Sequence, residues 1–140
     1  YNYANTIVAD VGGTVAGAAI SYPSRHQGIN DEMRRFFPHE RLAHLKGIFE
    51  SRVPESLYID ALAVHEKFRR RGLAGMLIDA AAEKARSLGF SSLSLIVLAE
   101  NEPARALYSK KGFVHADDVP LEYHEKLPFR GGAFLLKRPL

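Results

Sequence analysis

The sequence predicts an α/β (α+β) domain built on a mixed, mostly antiparallel sheet with a parallel βαβ unit at its centre. Two apolar runs, LYIDALAV at 57–64 and SLSLIVL at 92–98, flank a stretch of helical periodicity. Strand-like segments lie before and after that unit, which makes the sheet mixed. The chain has 140 residues, enough for one core, so residues 1–140 are read as a single domain.

Each element has its own signal. Residues 6–10 and 15–22 are strand-like around Gly12-Gly13, a hairpin pattern. Residues 23–30 carry Pro, Ser, Gly and Asn and read as a loop. Residues 31–51 are helical but polar and interrupted by Pro38, with Leu42, Leu45, Ile48 and Phe49 at helical spacing. This segment is either a surface helix covering the sheet or one wall of a site. Residues 71–88 form the clearest helix, with Leu73, Leu77, Ala81, Ala85 and Leu88 in one stripe and Gly89 as the stop. The crossover between two parallel strands should be right-handed. Residues 103–111 are a short helix opened by Pro103, and residues 113–117 and 133–137 complete the sheet.

Composition excludes several classes of function. Cysteine is absent, so disulfides, thiolate metal sites and cysteine nucleophiles are ruled out. The six histidines are scattered, and His39 and His44 stand five apart, so no metal is expected. No apolar run reaches membrane-spanning length, and the expectation is a cytoplasmic protein without a membrane partner. Formal charge is +3, and without Arg69, Arg70 and Arg71 the chain carries 16 basic and 16 acidic residues. A local excess argues against a nucleic-acid surface, as does the lack of an aromatic platform beside these arginines or Arg34-Arg35.

The stretch FRRRGLAG at 68–75 carries the most specific chemistry. A helix start leaves backbone N–H groups without partners, usually capped by Ser, Thr, Asp or Asn. Here the preceding residues offer no side-chain acceptor, Gly72 permits close approach, and Ala74 and Gly75 keep the next turn slim. Free donors, a positive dipole and three guanidinium groups describe a cradle for a pyrophosphate. Neither the Walker spacing nor the dinucleotide GxGxxG is present. A second group follows the strand 92–98: Asn101 at its carboxyl end, where open α/β sheets bind ligands, then Ala104, Leu107 and Tyr108 on one side of the next helix. Tyr108 can serve as a core aromatic or point its hydroxyl at that site.

Taken together, the two segments resemble the GNAT superfamily of acyl-CoA-dependent N-acetyltransferases. Arg69, Arg70, Arg71, Gly72, Leu73 and Ala74 match its R/Q-x-x-G-x-G/A phosphate motif, and NEPARALYSKKGF matches its second signature, N-x-x-A-x-x-L-Y-x-x-x-G-F. The resemblance implies acetyl-CoA as cosubstrate, an amine acceptor and no nucleic acid, with a homodimer conceivable through the late strands. It assigns the pyrophosphate to the amides of Arg71, Gly72, Ala74 and Gly75. Backbone groups of Leu62, Ala63 and Val64 would meet the pantetheine arm and thioester, Asn101 the pantetheine, and Tyr108 the sulfur. The family's two central parallel strands splay apart. The family usually has another strand and one or two helices before the hairpin, whereas this sequence starts almost at the hairpin. Either that segment was removed or another element, with 31–51 the obvious candidate, substitutes for it.

Within that frame the expected reaction is direct attack by a neutral amine, with a base to remove its proton. Asp60 is the leading base, on the strand with Leu62 and Val64, and strict alternation places all three on one face. Glu100, at the end of the next strand, is the second candidate. Backbone N–H groups of 62–64 would hold the oxyanion, and Tyr108 would protonate the leaving thiolate. The segment 119–132 could border the acceptor through Glu122, Tyr123 and His124, or could be an exposed connection. The alternative function is a non-catalytic CoA-binding regulatory module on the same fold.

Overall fold

A computed structural model describes residues 3–122, 125 and 130–140. Tyr123 and His124 therefore lie outside the described residues. After a short 3-10 turn come β1 (Thr6–Val11) and β2 (Thr14–Pro23), joined through Gly12 and Gly13 at φ 60° and 85°. Both central residues of this two-residue turn are left-handed, as a turn matched to the strand twist requires. Next are α1 (Asp31–Phe36) and α2 (His39–Glu50), then β3 (Leu57–Val64), α3 (Leu73–Ser87), β4 (Ser92–Leu98), α4 (Glu102–Lys110), β5 (Val114–Val119) and β6 (Ala133–Pro139).

The six strands form one sheet in the order β1-β2-β3-β4-β6-β5. Every neighbouring pair is antiparallel except β3 and β4. The predicted mixed sheet with its central βαβ unit is thus the observed one. The helical region 31–51 is two helices, because Pro38 cannot donate a helical hydrogen bond and instead caps α2. Asn30 caps α1 by accepting from the Met33 N–H at 2.8 Å. α3 begins at Leu73 rather than residue 71, because Gly72 is left-handed at φ 77°.

Two apolar clusters lie on opposite faces of the sheet. On one face Leu57, Ile59, Leu93, Leu95 and Val97 pack under Ile78, Ala81, Ala82 and Ala85 of α3, with Leu107 and Tyr108 of α4 beside them. Burying one such aliphatic side chain contributes about 1.5–3 kcal/mol, so this face anchors the fold. On the other face Ile96, Leu98, Ala133 and Leu135 meet Val53, Val119 and Ile48 of α2.

The register of β3 departs from strict alternation. Ile20 pairs with Ala61 and Ser21 with Ile59, leaving Asp60 as an extra residue on β3. This β-bulge exchanges the faces beyond it. Leu57 and Ile59 face the α3 cluster before the bulge, and Leu62 packs against that same cluster after it. The expectation that Asp60 shares a face with Leu62 and Val64 is therefore corrected: Asp60 turns with Tyr58 toward α2.

The parallel pairing of β3 with β4 is short. It comprises Leu57–Leu93, Tyr58–Ser94 and Ile59–Leu95, and then stops. At the start of the seam the buried hydroxyls of Ser56 and Ser94 lie 2.7 Å apart, and Ser56 Oγ donates to the Val53 carbonyl at 2.8 Å. Residues 60–64 of β3 and 96–98 of β4 continue without pairing to each other.

Candidate active site

Where the seam ends, a cleft opens on each face of the sheet. The α3-side cleft, about 670 Å³, is lined by Leu62, Ala63 and Val64 of β3, the 68–75 turn, and Pro103, Ala104, Leu107 and Tyr108 of α4. It gathers most of the residues assigned to acyl-CoA from the sequence, although they come from three separate elements.

The start of α3 leaves backbone donors free. The first helical bond of α3 runs from the Met76 N–H to the Gly72 carbonyl at 3.1 Å, and no side chain caps the helix. The amides of Gly72, Leu73, Ala74 and Gly75 therefore precede the helical ladder. A Cβ at Gly72 would meet nothing within 4 Å, so open space adjoins these donors and the glycine is required by its φ of 77° rather than by packing. At Gly75 a Cβ would come 2.8 Å from Lys111 Cε, and glycine there lets the lysine cross.

The arginines divide their work differently from a simple charged cluster. Arg69 Nε donates to the Val64 carbonyl at 3.1 Å, fastening the turn to the end of β3. The Arg71 guanidinium lies over the Phe68 ring, 5.4 Å from its centroid, and its side chain does not line the cleft. Arg70 takes a left-handed φ of 65° and does line it.

Behind the cradle, Lys111 Nζ donates to Asp79 Oδ2 at 2.6 Å, and Arg138 approaches Asp79 Oδ1 at 3.5 Å. The hydrogen bond from Lys111 holds the Asp79 carboxyl below its ordinary value of 3.8, with Arg138 acting in the same direction. A lowered folded-state pKa means the group stabilises the fold fully above the unfolded value, and that contribution disappears as pH falls through the lowered one. Asp79→Asn should thus flatten the fall in melting temperature below about pH 4. Parallel acid profiles for the two proteins would remove this role.

Tyr108 packs edge-on against Phe113, with centroids 5.7 Å apart, and lines the cleft. Burial pushes its phenol above the ordinary value of 10.0, so the hydroxyl keeps its proton at neutral pH. Asn101 caps α4, accepting from the Ala104 N–H through Oδ1 at 3.2 Å. Its side chain does not line the cleft, so capping is the role the geometry supplies.

On the opposite face the cleft is smaller, about 420 Å³, and is walled by Leu45, Ile48 and Phe49 of α2, Ile96 and Leu98 of β4, and Leu121. Its polar groups are Tyr58, Asp60, His44 and Glu122. Asp60 Oδ1 accepts from the Tyr22 hydroxyl at 3.1 Å, and His44 Nδ1 stands 3.5 Å from Glu122 Oε2. Within the region 31–51, α2 thus walls this cleft as well as covering the sheet. Glu100 lines neither cleft, and its carboxylate accepts from the Arg130 N–H at 2.7 Å, which makes it a loop fastener. Sequence reasoning missed Tyr22, whose meeting with Asp60 depends on the β2–β3 register and has no local signal. Among the described residues no cluster of three or more His, Asp or Glu could hold a metal, and no helix is long and apolar enough to cross a membrane.

One sheet thus parts between two clefts, with the uncapped start of α3 on one side and an apolar, acid-bearing slot on the other. A family model described as the Acetyltransferase (GNAT) family matches residues 1–113. The uncharacterized N-acetyltransferase YycN of Bacillus subtilis (strain 168) is 37% identical over 65 residues, which are 46% of this chain and 42% of that protein. The match thus spans less than half of that relative's length. A crystal structure of an acetyltransferase superposes with TM-score 0.72 at 30% identity, covering 99% of this chain and 71% of the other. A Bacillus subtilis acetyltransferase in complex with CoA shares the fold, with TM-score 0.63 at 18% identity over 96% of this chain and 76% of its own. The chain belongs to the GNAT superfamily of N-acetyltransferases.

Proposed function

We propose that this chain transfers an acetyl group from acetyl-CoA to a primary amine by direct attack. The observation that carries this reading is the gap beyond Ile59 and Leu95, which separates a donor-rich cradle from a slot containing Asp60. The bound-CoA relative of the same fold supports acetyl-CoA as the donor. The amides of Gly72 to Gly75 hold the pyrophosphate, and the free edge of residues 62–64 receives the pantetheine arm and thioester.

The amine enters from the α2 face. Asp60 and Glu122 attract its cationic form, while Leu45, Ile48 and Phe49 accept an apolar body. A primary amine has a pKa of about 10.4, so one proton must leave before attack, and Asp60 takes it directly or through water. The nitrogen then bonds to the thioester carbonyl carbon, and a backbone N–H of β3 stabilises the oxyanion. Collapse breaks the C–S bond, the Tyr108 hydroxyl protonates the departing thiolate, and the remaining excess proton on nitrogen returns to the resulting phenolate directly or through water.

An amine panel assayed by release of the CoA thiol tests the reading. At least one amine should be acetylated, with Asp60→Asn lowering turnover about 100-fold or more while CoA affinity stays unchanged. CoA binding without acetylation of any amine would instead favour a regulatory CoA-binding module. An Asp60→Asn variant with full turnover would pass the base role to another group.

A further inference from the structure

α2 has a second face. Opposite the side that walls the amine slot, it borders another cleft of about 670 Å³, which shares no lining residue with either cleft of the active site. Arg25 after β2, Arg34 of α1, Lys46 of α2 and Arg52 beyond α2 converge there, against the single carboxylate of Glu50. Four cations and one anion leave a surplus of three, as large as the formal +3 of the whole chain. Glu50 is matched to Lys46 at 3.8 Å and Arg34 to Asp31 at 3.6 Å. Arg25 and Arg52 form no ion pair among the described residues.

The floor of the cleft adds an independent observation. Gln27 is only 4% exposed, and its Nε2 donates to the Ile48 carbonyl at 3.2 Å and the Ser51 carbonyl at 2.7 Å. Those two acceptors fix the orientation of the amide and leave Oε1 buried with no donor. An unmet buried acceptor is costly, and so is a concave gathering of like charges. Phosphate answers the gathered charge, since its anionic oxygens suit guanidinium forks.

We propose that this cleft is a binding site for a small phosphate-bearing ligand, held by Arg25, Arg34 and Arg52 and steadying α2 from behind. The proposal is independent of acetyl transfer. Because the inner face of α2 walls the amine slot, occupancy would order that wall.

Inorganic phosphate titrated at constant ionic strength, followed by calorimetry and by hydrogen exchange of residues 39–50, tests it. Saturable binding and slowed exchange are expected. The double variant Arg25→Gln/Arg52→Gln should weaken binding about tenfold or more through loss of charge-assisted hydrogen bonds. Arg35→Gln removes the same charge from α1 outside the cleft and should change affinity less than about twofold, as a screened surface charge does. Saturating CoA, which occupies the proposed cradle in the other cleft, should leave phosphate binding intact, since the two clefts share no lining residue. If the double variant melts early, Arg52→Lys replaces it, with weakening expected from loss of the planar fork. Glycerol phosphate in parallel separates sources: tighter binding than phosphate assigns an organic monoester, and weaker binding assigns the free anion. Absence of saturation, indifference to Arg25 and Arg52, equal loss in Arg35→Gln, or loss of binding in saturating CoA would each overturn the proposal.

Discussion

Gly72→Asp should abolish CoA binding and leave a folded protein. The glycine sits at φ 77°, a conformation that costs a non-glycine residue roughly 1–2 kcal/mol, least for Asn and Asp. No atom lies within 4 Å of the new Cβ, so strain is the main structural penalty. A carboxylate at a helix start also interacts favourably with the dipole. For a pyrophosphate the same carboxylate is a competitor, occupying the free amides and repelling the incoming charge. Affinity should fall by roughly 100-fold or more, about 2.8 kcal/mol. Gly72→Asn shares the backbone tolerance without the charge and should lose less. Calorimetry with CoA, alongside melting curves, separates the contributions, and retained affinity in the aspartate variant would end the cradle assignment.

Tyr108→Phe has the second large effect, and it should fall on turnover alone. The ring can keep its edge-on contact with Phe113 at 5.7 Å and its place beside the α3 cluster, so packing survives. Only the hydroxyl is lost, and burial keeps that hydroxyl protonated. A positioned general acid contributes about 10²–10⁴-fold, and kcat should fall within that range. CoA affinity should stay within about twofold, because the lost group acts on the leaving sulfur and not on ground-state binding. Steady-state kinetics on an accepted amine, together with CoA titration, checks both halves. An unchanged kcat would take Tyr108 out of the chemistry.

Much of this architecture was legible because its signals are local. LYIDALAV and SLSLIVL have the composition of buried strands, and the observed strands have those bounds. Gly12-Gly13 and Pro38 announce a turn and a break by their own stereochemistry, whereas Gly72, read inside the helix, is left-handed and delays the helix start to Leu73. The uncapped start of α3 could be read for the same reason, since its free donors belong to consecutive amides. The bulge at Asp60 is different. Period-two alternation in LYIDALAV says nothing about which residue the neighbouring strand leaves unpaired, so the face of Asp60 was misread. Asn101 and Arg69 were identified by type, while their capping and fastening roles depend on backbone geometry. The basic cleft behind α2 was invisible, because Arg25, Arg34 and Arg52 meet only through the packing of three segments.

The short seam between β3 and β4 also bears on mechanics. The six strands amount to two three-stranded panels, β1-β2-β3 and β4-β6-β5, joined by three residue pairs and strapped together by α3. Such a sheet is stiff within each panel and compliant across the join, like a book held at one end of its spine. A ligand lying in the open end acts as a strut between the covers. By mass action it adds about 2.7 kcal/mol of stability at one hundred times its dissociation constant. A ligand bound in this gap would therefore stiffen the protein where the sheet is most compliant.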